Sequence, residues 1–315
     1  MNFVDLELKQ KIMATDIYVA VASQTRSHDE IHKDIVNVVK MLQRFDNNFN
    51  RFSTTNELAK LNNATALAVS DEMMGMLVLA KDYFQKTAGV FEPSILPSLV
   101  SEGYNQSFKK GLPGKKQWKT PVLEKYNFGM VQLDESTHTV VKPSNLKIDL
   151  GGIGKGYILD KAVEFLQAKY ANYCIEAGGD MYLAGIDSKQ KYPYWAIEIE
   201  NPFVDRCLLN SPTLLVSNQA IATSGVNRRK WLADGIIKNH LIDPASGRSI
   251  QGDLETVTVI GNSTVYCDIM AKVIVIKGLN KGLEYCNSNQ IPAILIAKDG
   301  KIHSSESALK YVWKA

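Results

Sequence analysis

Apolar and polar positions fall into well-separated periodic stretches along this chain. Residues 16–23 (DIYVAVAS) alternate and are rich in β-branched side chains, which predicts a strand. Residues 28–48 set Ile31, Ile35, Val38, Val39, Leu42 and Phe45 at helical spacing. A second amphipathic helix is expected over 71–87, opening at Ser70 with Glu72 close behind. The stretch 157–169 (YILDKAVEFLQAK) reads as a helix directly after a glycine cluster. Residues 255–260 (ETVTVI) read as a strand that leads through GNST into a helix at about 265–277. Residues 291–297 and 300–303 form a hairpin-like strand pair, and shorter strands are expected near 138–142, 173–177, 194–200 and 213–217. Gly, Lys, Pro and Ser crowd residues 104–122, which predicts a long loop.

These helices and strands follow no regular βαβ rhythm. The pattern therefore predicts an α+β protein with mostly antiparallel sheets and packed helices, not a doubly wound one. No tandem repeat or strong linker divides the chain. A single unit is expected over residues 1–315, with two intimate lobes as the other division.

Composition narrows the function classes. The 315 residues are 45% hydrophobic and carry a formal charge of +3 that is spread along the chain. No basic block with interleaved aromatics points to nucleic acid. The lysines at 109, 110, 115, 116 and 119 sit among Gly and Pro and read as a solvated loop. Cys174, Cys207, Cys267 and Cys286 make no CxxC, which leaves zinc and thioredoxin chemistry without support and predicts reduced, mostly buried thiols. The first residues, MNFVDLELKQKIM, lack the apolar core of a signal peptide, and no run of 18 apolar residues occurs. A cytoplasmic protein is expected, with a lipoprotein trimmed of its anchor left open.

The segment KIDLGGIGKGYILDKAVEFL (147–166) carries the strongest chemical signal. A short strand, Leu146 to Leu150, is expected to meet Gly151, Gly152, Gly154 and Gly156 and then a helix. Glycines let backbone approach a ligand closely, and the N–H groups that open a helix attract anions. A phosphate or pyrophosphate suits such a place, and a plain strand–helix turn is the competing account. The spacing matches neither a Walker A loop nor a Rossmann fingerprint.

Further segments accompany it: NRFSTTNELAKLN (50–62), GVFEPSILPSLVSEGY (89–104), IEAGGDMYLAG (175–185), AIATSGVNRR (220–229) and HLIDPASGR (240–248). In this order they resemble the FAD:protein FMN transferase (ApbE-like) family, with its D-L-G-G-I-A-K-G-Y, A-T-S-G, H-x-I-D-P-x-[ST]-G, G-G-D, F-D-P and S-E-L-x-x-L-N motifs. Met13-Ala14-Thr15 resembles that family's M-G-T, and the correspondence runs from about residue 12 to 300.

The resemblance implies an ApbE-like fold and an enzyme that binds FAD and Mg²⁺, moves FMN onto a Ser or Thr hydroxyl of an acceptor protein and releases AMP. It implies metal ligands at the Gly154 carbonyl and at Asp268, with a third at the position of Lys272, where the family has Thr. A protonated lysine has no acceptor and cannot ligate a metal. Either its ammonium stands in the cation's place, paired with Asp268 and facing the pyrophosphate, or it turns away and leaves a weakened Mg²⁺ site. Asp268 also has a reading as a capping or dipole-complementing residue after Asn262, Ser263 and Thr264.

By the same resemblance His240 deprotonates the acceptor hydroxyl, and a hydrogen-bonded loop histidine is the alternative. Flavin and phosphate contacts are implied for Met13, Phe52, Val90, Phe91, Glu92, Gly151, Lys155, Thr223, Ser224 and Leu254. Arg228 and Arg229 are further charge partners for phosphate. Departures from the family at Ala14, Glu92, Val226 and above all Lys272 keep two other functions open. One is an FAD pyrophosphatase giving FMN and AMP, and the other is a flavin binder with little catalysis.

Overall fold

A computed structural model describes residues 3–106, 127–189, 193–203, 211–233 and 235–313. The expected 104–122 loop, the lysine run and Cys207 lie wholly or mostly outside these residues. In chain order the elements begin with β1 (Val4–Ile12), β2 (Thr15–Ser23), α1 (His28–Phe49), α2 (Glu57–Asn63), β3 (Ala66–Ala68), α3 (Asp71–Lys86) and α4 (Leu96–Ser101). They continue with β4 (Gln132–Asp134), β5 (Thr139–Val141), α5 (Gly154–Gln167), β6 (Asn172–Ala177), β7 (Asp180–Ala184), β8 (Trp195–Glu198) and β9 (Thr213–Val216). Next come β10 (Gln219–Gly225), β11 (Lys230–Ala233), β12 (Ile236–Asn239), β13 (Ile242–Asp243), β14 (Arg248–Ser249) and β15 (Leu254–Gly261). The chain closes with α6 (Thr264–Lys277), α7 (Leu279–Ser288), β16 (Ala293–Ala297) and β17 (Ile302–Ser304).

The chain folds into two units. The first comprises Met1–Phe45, Lys155–Asn227 and Asp253–Ala315, and the second comprises Asp46–Gly154 and Arg228–Gly252. An eight-stranded sheet in the order β1-β2-β6-β7-β10-β15-β16-β17 organises the first unit, and every neighbouring pair in it is antiparallel. An apolar cluster of Cys174, Leu183, Ile199, Leu214, Val216, Ile221, Ile260, Ile294 and Ile296 lies against it. The second unit holds the small sheet β3-β5-β4 and the hairpins β11-β12 and β13-β14. Its aromatic cluster joins Leu99, Tyr104, Trp231 and Ile242.

Local sequence explains the elements that matter for the site. Helix α1 buries all six positions that the periodicity marks, and Ser27 and Glu30 close a reciprocal cap at its start. Helix α6 is buried on nearly every side, as an almost uninterrupted apolar sequence requires. Its N-terminus is capped twice. The Ser263 side chain accepts from Tyr266 N, and the Asp160 carboxylate accepts from Ser263 Oγ, Thr264 N and Val265 N at 2.8, 2.6 and 3.0 Å. Carboxylate at a helix N-terminus complements the helix dipole.

Two-residue turns join β1 to β2 and β6 to β7. Met13 and Ala14 have φ of 54° and 59°, and Gly178 and Gly179 have 63° and 96°. Positive φ at both central residues suits the right-handed twist of the flanking strands. Gly178 donates its N–H to Asp16 O at 3.0 Å, and a Cβ there would lie 2.0 Å from Thr15 Oγ1. The G-G-D segment and the residue Thr15 are thereby locked together.

Two expectations need correction. Leu146–Leu150 is not a strand. Its alternation is real, but the Asn62 side chain takes the place of a neighbouring strand, accepting from Ile148 N at 2.7 Å and donating to Ile148 O at 2.9 Å. The glycine cluster does not simply precede its helix either, because Gly154 and Gly156 already belong to the first turn of α5.

Candidate active site

In the first unit four charged side chains meet behind the start of α5. Lys155, in that first turn, ion-pairs with Asp180 Oδ2. Asp180 opens β7 directly after the Gly178-Gly179 turn and has no exposed surface. Its second oxygen, Oδ1, accepts from Thr223 N on β10 at 3.1 Å. Burial pushes the Asp180 carboxyl up, Lys155 pulls it back, the Asp268 charge raises it and Lys272 opposes that rise. Asp268 and Lys272 lie one turn apart on α6, a spacing that puts them on one face. The Lys272 ammonium sits on Asp268 Oδ1 and also donates to the Asp268 carbonyl at 3.2 Å. Asp268 Oδ2 is buried and has no hydrogen-bond partner.

Close packing sets this geometry. A Cβ on Gly156 would come within 2.5 Å of Val265 Cα, so only glycine lets the first turns of α5 and α6 touch. Thr223, paired with Thr258 across β10 and β15, shares a hydroxyl–hydroxyl bond with it at 2.8 Å. Ser224 is buried, as is Leu254 at the head of β15, and Met13 is half-buried in its turn.

The second unit holds the remaining candidates. Phe52 is 37% exposed and is not a core aromatic. The Arg51 guanidinium packs against both the Phe52 and Tyr104 rings, 4.4 and 4.0 Å from their centroids. Arg51 also pairs with Asp149 through Nε at 3.1 Å. Asp149 in turn accepts from Gly151 N at 2.7 Å, which shapes the start of the glycine cluster. Phe91 is buried and Val90 half-buried. Glu92 is occupied by backbone, accepting from Ser94 N at 2.8 Å and Phe128 N at 3.1 Å, and from Ser94 Oγ at 2.6 Å. Burial pushes its carboxyl up, while those donors and Lys81 pull it down.

His240 is half-buried at the end of β12. The Asn239 amide fixes its backbone, accepting from Leu241 N and donating to Ile250 O at 3.0 and 2.9 Å. Asp243 is spent on its own turn, accepting from Ala245 N at 3.0 Å and Ser246 Oγ at 2.8 Å.

This frame has a counterpart among known proteins. The model of the ApbE family matches residues 13–295. The chain belongs to the ApbE family. A FAD:protein FMN transferase of Vibrio cholerae is 28% identical over 283 residues, covering 86% of this chain and 82% of the relative. The crystal structure of the ApbE protein of Thermotoga maritima superposes with a TM-score of 0.84 at 22% identity, over 99% of this chain and 100% of that one. The flavin transferase ApbE of Vibrio cholerae gives 0.81 at 24% identity, over 98% and 99%. The α+β, mostly antiparallel architecture is thus the ApbE fold.

Within this ApbE-family frame Lys155, Thr223, Asp268 and Lys272 belong to one connected group, while His240, Phe52, Glu92 and Gly151 are positioned by networks of the second unit. Sequence reasoning missed Asp180, although its segment was noted, and it missed the supports Asn239, Asp160 and Glu102. Glu102 is buried and accepts from Lys238 Nζ at 2.7 Å and Ser249 N at 3.0 Å. A charged residue directly after Gly-Gly and ahead of an apolar strand was the available signal for Asp180.

The residues do not fit the Mg²⁺ that the family resemblance implies. That ion wants near-octahedral oxygens, commonly from one or two carboxylates plus substrate phosphate. Of the Asp180 and Asp268 carboxylates, Asp268 offers Oδ2, since Lys272 holds its other oxygen and Lys155 and Thr223 N hold Asp180. Two carboxylates facing two ammoniums leave no net negative charge to draw a divalent cation.

Proposed function

We propose that this chain is an FAD:protein FMN transferase that moves FMN from FAD to a Ser or Thr hydroxyl of an acceptor protein. The observation that carries the reading is the family match over residues 13–295, which spans all the quoted motif segments. The acceptor oxygen forms a bond to the FMN phosphorus, and the bridging P–O bond breaks with its electron pair leaving on AMP. The acceptor proton passes to His240, whose backbone Asn239 holds in place. Catalysis of this kind is chiefly positioning and charge stabilisation. Lys155 and Lys272 supply positive charge toward the phosphates, and Thr223 and Ser224 line the adjoining strand. Phe52, Met13, Val90 and Phe91 provide apolar contact for the flavin.

The test is to incubate the protein with FAD and a peptide bearing a Ser or Thr in a Ser/Thr-rich context. AMP release with flavin fixed to the peptide supports transfer. AMP with free FMN and an unlabelled peptide makes water the acceptor and the protein a pyrophosphatase. FAD bound and left intact overturns the enzymatic reading.

A further inference from the structure

Helix α6 poses a physical question. Its sequence, TVYCDIMAKVIVIK, is apolar nearly throughout, and Asp268 and Lys272 are the only charges before its last residue. Burying a carboxylate is costly unless it is paired, and a hydrophobic pair is often as stable as a buried ion pair. Asp268 and Lys272 therefore need a reason beyond stability.

The exposure of the four charges supplies one. The carboxylates are inside, with the side chains of Asp180 and Asp268 at 0% and 2%, and the ammoniums are outside, with Lys155 and Lys272 at 26% and 15%. Each carboxylate anchors one ammonium from behind. An approaching anion meets the ammoniums first. The arrangement suits a dianionic group such as a pyrophosphate, because lysine acts as a compact point charge with three donors. It suits a metal poorly, since a cation would have to displace Lys272 from Asp268 before gaining that ligand.

We propose that Lys272 takes the place of the divalent cation, and that this chain binds and cleaves FAD without one, the Lys155 and Lys272 ammoniums meeting the pyrophosphate charge. The proposal rests on the transferase reading for its substrate, and its test separates the two.

The purified protein is given FAD with either EDTA or Mg²⁺, and AMP is followed by chromatography. In parallel, Mn²⁺ is titrated into the protein by calorimetry without FAD. We expect equal AMP release in EDTA and in Mg²⁺. Lys272→Met should lose roughly 10²-fold in AMP release, the scale of removing one preorganised stabilising group. Lys272→Arg keeps the charge and should retain most of the activity, and it covers the case in which the Met variant fails to fold. The wild type should give no Mn²⁺ binding heat, while Lys272→Thr should bind Mn²⁺ and release AMP only when a divalent cation is added. AMP release abolished by EDTA and restored by Mg²⁺, or stoichiometric Mn²⁺ binding by the wild type, overturns the proposal. Where FAD is cleaved under no condition, the transferase reading falls. The Mn²⁺ titration then still decides the role of Lys272: binding by Lys272→Thr alone upholds it, and binding by the wild type ends it.

Discussion

At the scale of single residues, Asp180 shows how much of this site depends on one buried charge. Its two oxygens have separate duties, one toward Lys155 and one toward the Thr223 backbone. Breaking a buried pair leaves its partner uncompensated, and Lys155 reaches solvent only in part. We expect Asp180→Ala to lose roughly 3 kcal/mol of stability by urea unfolding, the lower end for a buried pair. An unchanged midpoint would show that the pair contributes nothing to the fold. The family resemblance pointed to Asp268 and Lys272, and their spacing of four residues puts them on one helix face. Sequence could not rank Asp180, whose importance comes from β10 and α5 arriving at it from distant positions. It also could not show that the Glu92 carboxylate is occupied by nearby backbone and hydroxyl donors.

The Glu92 turn has its own pH signature. A carboxyl raised by burial holds its proton more tightly in the folded chain than in the unfolded one. Its contribution thus favours folding at low pH and is lost as pH rises from the ordinary glutamate value of 4.5 through the raised folded value. Glu92→Gln keeps an acceptor for Ser94 and Phe128 but carries no charge. The stability of wild type relative to this variant should fall as pH rises above the ordinary glutamate value of 4.5, read from urea midpoints at each pH. A constant difference would mean that burial does not perturb this carboxyl.

Among elements, the first turns of α5 and α6 approach closely at Gly156. Gly156→Ala would drive a methyl into the Val265 backbone, which cannot yield as a flexible side chain can. Overpacking of this kind costs about 1–3 kcal/mol. Thermal unfolding should show that loss, and AMP release should fall with it because Lys155 sits on the displaced turn. Wild-type stability in this variant would mean that the two helices can separate at no cost. Periodicity made α1, α3, α5 and α6 legible, since each buries one stripe or is apolar all round. It failed at Leu146–Leu150, where a side-chain amide imitates a strand partner, a substitution that no alternation pattern can reveal. The strand β1 is absent from the expected elements although Val4, Leu6, Leu8 and Ile12 alternate with charges at Asp5, Glu7, Lys9 and Lys11. Such charges are what an edge strand uses to discourage pairing with another chain.

For the whole molecule, the thiols report on packing. Cys174, Cys267 and Cys286 are free and buried, and burial pushes all three thiols up, Cys286 to about 12. Thiolate, not thiol, reacts with alkylating agents. Iodoacetamide should therefore leave these three unmodified in the native protein and label them after denaturation, as mass spectrometry of the peptides would show. Native labelling of Cys174 or Cys267 would indicate that the central sheet opens readily. The α+β class was legible from the absence of a βαβ rhythm. The bounds of the two units were not, because the second is supplied by two separate stretches, 46–154 and 228–252.

That threading has a consequence for synthesis. Strand β2 ends at Ser23, and its inner neighbour β6 begins at Asn172, about 150 residues later. At translation speeds of about 5–20 residues per second, the β1–β2 segment waits roughly 7–30 s on the ribosome without its inner neighbour. That segment carries Ile17, Val19 and Val21, all buried in the final protein. Ribosome profiling of chaperone-bound nascent copies of this chain should therefore show engagement between those two positions.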